Sequence, residues 1–176
     1  RYGSFSFGSA GLLRSADKGE TWTVLGLDVF GPALTPMVGN FPQYQSIGKV
    51  VVDPNNSANL IVGTKTGLFV SNDTGANWIG PCFTNAFTTQ RQDVTGLLAI
   101  DAGATTELLL AIGTRGAPTP VQPDLDRNGA NGVYKATLPA TGCPGTGDWS
   151  LRDQNWPTGT GNGLTAGTAV GRIELA

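Results

Sequence analysis

Ser, Asp, Gly and Trp recur at one spacing in two places, SADKGETW at 15–22 and SNDTGANW at 71–78. Each copy offers a carboxylate (Asp17 or Asp73), a hydroxyl (Ser15 or Ser71), a glycine (Gly19 or Gly75) and an indole (Trp22 or Trp78). Two carboxyl groups can serve as acid and base on a glycosidic bond if they flank it about 5 to 9 Å apart. Asp17 and Asp73 occupy equivalent places in separate repeats, so they are expected far apart and structural rather than catalytic. The carboxylates not spent on turns are Asp28, Asp93, Glu107, Asp153 and Glu174. Asp93 precedes a strand and Asp28 begins a long connection, which makes these two the candidates for catalysis. Spacing names no partner for either, and no catalytic residue is assigned.

The chain contains no histidine. That removes Ser-His-Asp triads, Cys-His pairs, imidazole metal sites and imidazole proton shuttles. A different chemistry is offered by PDLDRNGANG, in which Asp124, Asp126, Asn128 and Gly129 follow D-x-D-x-N-G. Alternate oxygens at that spacing converge on a hard cation, so calcium is the one cofactor the sequence suggests. Lys135 stands where an EF-hand loop has its closing Glu, and Gly132 where integrin-type loops have their closing Asp. Further ligands would have to come from elsewhere, and Asp/Asn-Gly turns also occur without metal.

Cys82 and Cys143 are neither a CxxC pair nor close in sequence, so zinc is not expected. They read as a disulfide made in an oxidising compartment, the alternative being two separate buried thiols. A bridge closing roughly sixty residues is worth about 4 kcal/mol by chain entropy.

The elements that position these groups are short. With 26 Gly, 11 Pro and only 14% charged residues, brief runs of Val, Ile, Leu and Phe alternate with dense turn signals. That composition is all-β. A net charge of −2 gives no basic footprint for nucleic acid. The most apolar window, GLLAIDAGATTELLLAIG, is broken by Asp101 and Glu107, so no membrane span is expected.

The repetition extends beyond eight residues. GLLRSADKGETW (11–22) matches GLFVSNDTGANW (67–78), and GVYKATLPATGCPGTGDW (132–149) fits both with an insertion before Trp149. Upstream, FSFGSA, LIVGTKT and LLAIGTR are alike, and GKVVVD (48–53) aligns with GLLAID (96–101). Self-similarity at this period signals a repeat architecture. Each unit reads as four strands, A to D; in the middle unit these fall near 48–53, 59–65, 67–72 and 77–84.

The pattern S-x-D-x-G-x-x-W resembles the Asp-box, or BNR repeat, found in sialidases, xyloglucanase-type glycoside hydrolases, sortilin-type receptors and a photosystem II assembly factor. The third copy keeps Trp149 but lacks the Ser and Asp. The resemblance implies a β-propeller of four-stranded antiparallel blades, with the motif turn joining strands C and D on the rim away from the catalytic face. The expected division is 1–30 as strands B to D of one blade, 47–84 and 94–156 as complete blades, and 168–176 as the first strand of another. Fewer than three blades make a partial ring, to be completed by a longer polypeptide or by other subunits. In each motif Asp should hold the turn, Gly should take a left-handed conformation, and Trp22 and Trp78 should be buried equivalently.

The long connections at 26–46, 82–92, 116–131 and 155–167 share the other face, and their aromatic residues suit either stacking on sugars or pinning the loops. The expectation is a secreted, periplasmic or surface module that binds a glycan or protein partner or serves structurally. The alternative is a glycoside hydrolase with carboxylates partly outside this stretch; no sialidase arginine triad or xyloglucanase catalytic motif is recognisable.

Overall fold

The computed structural model describes residues 11–38, 41–44, 46–64, 67–82, 94–112, 132–152 and 173–176, with backbone alone for 33–44. It is predominantly β, built from open antiparallel sheets. Strands β1 (Leu12–Arg14) and β2 (Thr23–Leu25) form a ribbon, followed by a single helical turn, α1 (Leu27–Phe30), and a hairpin of β3 (Ala33–Val38) and β4 (Phe41–Tyr44). Next come β5 (Ile47–Val52), β6 (Leu60–Thr64) and β7 (Gly67–Ser71) in one sheet. Then β8 (Val94–Asp101), β9 (Thr106–Ile112), β10 (Gly132–Thr137) and β11 (Ser150–Leu151) form a four-stranded meander.

Two expectations change here. The stretch 26–46 is not simply a loop but carries α1 and the β3–β4 hairpin. Of the fourth strand expected at 77–84, the described residues 77–82 form a bridge between Val70 and Ile79, with reciprocal backbone bonds of 2.9 and 2.8 Å. Pro81 has no N–H to offer the ladder; the Cys82 N–H bonds the Leu68 carbonyl at 2.7 Å.

The ladders also correct the alignment of GKVVVD with GLLAID. Each strand has an irregularity near its start, between Ile47 and Lys49 and between Val94 and Gly96. The regular ladders resume at Lys49↔Gly63 and Gly96↔Ala111, so Lys49 and not Gly48 is equivalent to Gly96. A slip of one residue reverses which side chains face which neighbour.

Two apolar clusters lie on opposite faces of the β5–β7 sheet. Val62 and Phe69 pack with Phe30, Leu12 and Trp78, toward the β1–β2 ribbon. Ile61, Leu68 and Val70 pack with Val94, Leu97, Leu108 and Leu110, toward the β8–β11 sheet. The β5–β7 sheet is thus the middle layer of a stack, and Gly63 lets the layers close: a Cβ there would collide with the Val94 side chain. Residues 173–176 lie against the other side of β8, with the Ile173 N–H bonded to Thr95 Oγ1 at 3.1 Å and Leu175 beside Gly96.

Candidate functional site

The two Ser-Asp-Gly-Trp turns have the same internal bonding. Ser15 Oγ donates to Asp17 Oδ1 (2.7 Å) and accepts the Gly19 N–H (2.7 Å); Ser71 Oγ donates to Asp73 Oδ1 (2.8 Å) and accepts the Gly75 N–H (2.8 Å). Asp17 then accepts the Thr21 N–H at 2.9 Å and its hydroxyl at 2.5 Å. Asp73 accepts the Asn77 N–H at 2.8 Å and its side-chain amide at 2.7 Å. Each carboxylate closes the turn that contains it.

Hydrogen bonding to the charged form sets the acidity of both groups. The Asn77 side chain, then its N–H and Ser71, hold the Asp73 carboxyl at about 2, against an ordinary 3.8. The Thr21 side chain and N–H, with Ser15, hold Asp17 lower still. Neither is suited to general acid catalysis near neutrality.

Glycine in the motif was expected to be left-handed, and Gly19 (φ 98°) and Gly75 (φ 93°) are. The residue before each is too: Lys18 at φ 60° and Thr74 at φ 59°. Two consecutive positive φ values are the type I′ pattern. Thr74 is β-branched and strained there, and its N–H is held by the Ala58 carbonyl at 2.9 Å. Gly75 has a second reason to lack a side chain, because Leu25 of the preceding ribbon lies 2.6 Å from where a Cβ would stand.

The tryptophans are not equivalent in burial, contrary to expectation. Trp78 is half-buried, edge-on to Phe30 with ring centroids 5.1 Å apart, and its Nε1 lies 2.9 Å from where a Gly26 Cβ would stand. Trp22 is 59% exposed, folded back so that its Nε1 donates to the Gly19 carbonyl at 3.0 Å. The difference is the neighbour. Gly26 and Phe30 belong to the unit before Trp78; among the described residues nothing equivalent covers Trp22, and Leu13 and Val24 beside it are also exposed.

Trp149 packs partly buried on the larger core cluster. Its turn lacks the motif Ser and Asp and is held by other restraints, among them its own Asp148 Oδ2, which accepts the Gly145 N–H at 2.7 Å. Leu138 is buried and donates its N–H to the Thr106 carbonyl at 2.8 Å. The Gly142 N–H donates to Asn72 Oδ1 at 2.7 Å, and Cys143 is bridged to Cys82 (S–S 2.05 Å) as expected. Asn72 lies within the second motif, so one repeat restrains the turn of the next.

Sequence reading assigns no role to Asp53, the last residue of GKVVVD. It is 5% exposed and accepts hydrogen bonds from Asn59 Nδ2 (2.8 Å), the Asn55 N–H (2.9 Å) and the Thr106 hydroxyl of the adjacent sheet. Burial pushes its carboxyl up, but the bonds from Thr106, Asn59 and the N–H groups of Asn55 and Asn56 outweigh it, leaving the group below the usual range. Asn55 Nδ2 adds bonds to the Thr105 carbonyl (3.1 Å) and Thr106 Oγ1 (3.0 Å), and Asn72 Nδ2 bonds Asn59 Oδ1 at 3.0 Å. This chain of polar groups joins two sheets. The Asp at the end of β5 was visible; Thr106, 53 residues away, was not.

Asp28 is exposed in α1. Asp93 and the calcium candidates Asp124, Asp126 and Asn128 lie outside the described residues. Among the described residues no group of three or more Cys, Asp or Glu could hold a metal, and no helix is long and apolar enough to cross a membrane. No family model, curated protein or solved structure matches the chain.

Proposed function

We propose that this chain is a section of an Asp-box β-propeller that acts outside the cytoplasm as a binding or structural module toward a glycan or a protein partner. The single observation that carries the reading is the committed state of the repeated carboxylates: Asp17 and Asp73 each close their own type I′ turn, leaving them no catalytic role. The layered arrangement supports the ring. β5 packs beside β8, and 173–176 beside β8 in turn, as successive innermost strands around an axis would. Lys49 on β5 reaches Glu174 at 2.5 Å, an ion pair across what would be the ring's central channel. The Cys82–Cys143 bridge is consistent with an oxidising compartment.

The test is calorimetric titration of the protein with soluble β-glucans and sialosides, alongside an assay for released reducing ends. Binding without release, retained in Asp28→Asn and Asp93→Asn, supports the module. Release that depends on either aspartate overturns it in favour of a glycoside hydrolase. Absence of both binding and release directs the reading to a protein partner.

A further inference from the structure

The Cys82–Cys143 bridge joins two backbones that are already held together without it. On one side the Cys82 N–H bonds the Leu68 carbonyl at 2.7 Å, and Val70 and Ile79 exchange a reciprocal pair of bonds. On the other, the Gly142 N–H, one residue before the second sulfur, bonds Asn72 Oδ1 at 2.7 Å. Leu138 and Pro144 are buried on either side of it. The Cα atoms stand 5.3 Å apart within this frame.

Both sulfurs also face one acceptor. Cys82 Sγ and Cys143 Sγ each lie 3.7 Å from the Ile79 carbonyl oxygen. A thiol formed at either position therefore has a hydrogen-bond acceptor in place, weak as thiol donors are. The two differ in access: Cys82 is buried at 9% exposure, whereas Cys143 is half-buried.

We propose that Cys82 and Cys143 form a reversible redox couple within the folded chain, opened by a dithiol reductant that attacks at Cys143. A thiolate of the reductant attacks Cys143 Sγ, the S–S bond breaks, and Cys82 leaves as a thiolate that takes up a proton. The reductant's second thiolate then attacks its own sulfur in the mixed disulfide. Cys143 leaves as a thiolate and is protonated, and the reductant departs as a cyclic disulfide. Two electrons pass from reductant to protein, and the frame of Asn72, Leu138 and Pro144 keeps the new thiols adjacent. Reduction slackens the turn between β10 and β11 without dismantling the sheets.

Native protein is treated with dithiothreitol, its free thiols are counted, and amide exchange is followed by mass spectrometry. The expected result is two titratable thiols, faster exchange confined to residues 79–82 and 139–152, and full restoration of the bridge on re-oxidation. Asn72→Ala should then re-oxidise several-fold more slowly while its oxidised form keeps the same circular dichroism. A bridge that resists reduction until the chain unfolds would contradict the proposal. So would protection lost across β5–β9 on reduction. Re-oxidation at an unchanged rate in Asn72→Ala would show that the frame does not hold the pair.

Discussion

Asp73 and Asp17 show how a side chain that could do chemistry is withdrawn from it. Each spends its oxygens on the backbone and side chain four residues ahead, and the bonding that fixes the turn makes the carboxyl hard to protonate. The acid dependence of stability follows. Asp73 sits at about 2 in the folded chain and at 3.8 as an ordinary carboxyl, so its contribution is fully present above 3.8. It is lost as pH falls through about 2, because below that the folded state no longer holds fewer protons than the unfolded one. Asp17 and Asp53 act in the same direction. Thermal melts between about pH 4 and pH 2 should show a steep loss of stability, shallower in Asp73→Asn. Equal slopes in the two proteins would remove Asp73 from the account. The serine, aspartate and glycine roles were legible from spacing, since they are local. The left-handed Lys18 and Thr74 were not: neither type prefers that conformation, and the turn imposes it.

At the scale of elements, what matters is which sheet faces which. Trp78 packs against Phe30, and Phe30 in turn packs edge-on to Phe69 with centroids 5.3 Å apart, so three elements meet at one aromatic contact. Trp22 has the same place in its motif but is 59% exposed. In the 176-residue chain, Trp78→Ala should therefore cost about 2 kcal/mol or more in urea denaturation, short of the 3–5 kcal/mol of a fully buried Trp. Trp22→Ala should cost less than about 1 kcal/mol. Equal losses would mean that the contact with Phe30 contributes nothing beyond the turn. Strand content and the C–D turn could be read from short apolar runs and from NDTGAN within the repeated motif. The β3–β4 hairpin could not, because Pro and Gly punctuate 31–46 as they would a loop. The one-residue displacement of β5 against β8 was hidden as well, since strand irregularities leave no signature in runs of Val and Leu.

At the scale of the molecule, the β1–β2 ribbon, the β5–β7 sheet and the β8–β11 sheet of the described residues are tied by different means at their two interfaces. The ribbon meets the β5–β7 sheet through apolar contacts around Phe30 and Gly75. The β5–β7 and β8–β11 sheets share a larger core, the Asp53–Thr106 cluster and a disulfide closing 61 residues, worth about 4 kcal/mol in chain entropy. The pairing of Cys82 with Cys143 was legible because no other cysteine exists; the Asn72–Gly142 bond that accompanies it depends on the stacking itself. On the proposed reading the stack continues around a ring, and the exposed Leu13, Trp22 and Val24 meet a further sheet as Phe69 and Trp78 meet the ribbon. The most direct measurement is an experimental structure of the protein as it occurs in its natural source. The account predicts β5, β8 and residues 173–176 as consecutive innermost strands about one axis, with Trp22 covered by another sheet. Finding β5–β7 and β8–β11 closed on each other as a two-layer sandwich, with Trp22 still in solvent, would contradict it.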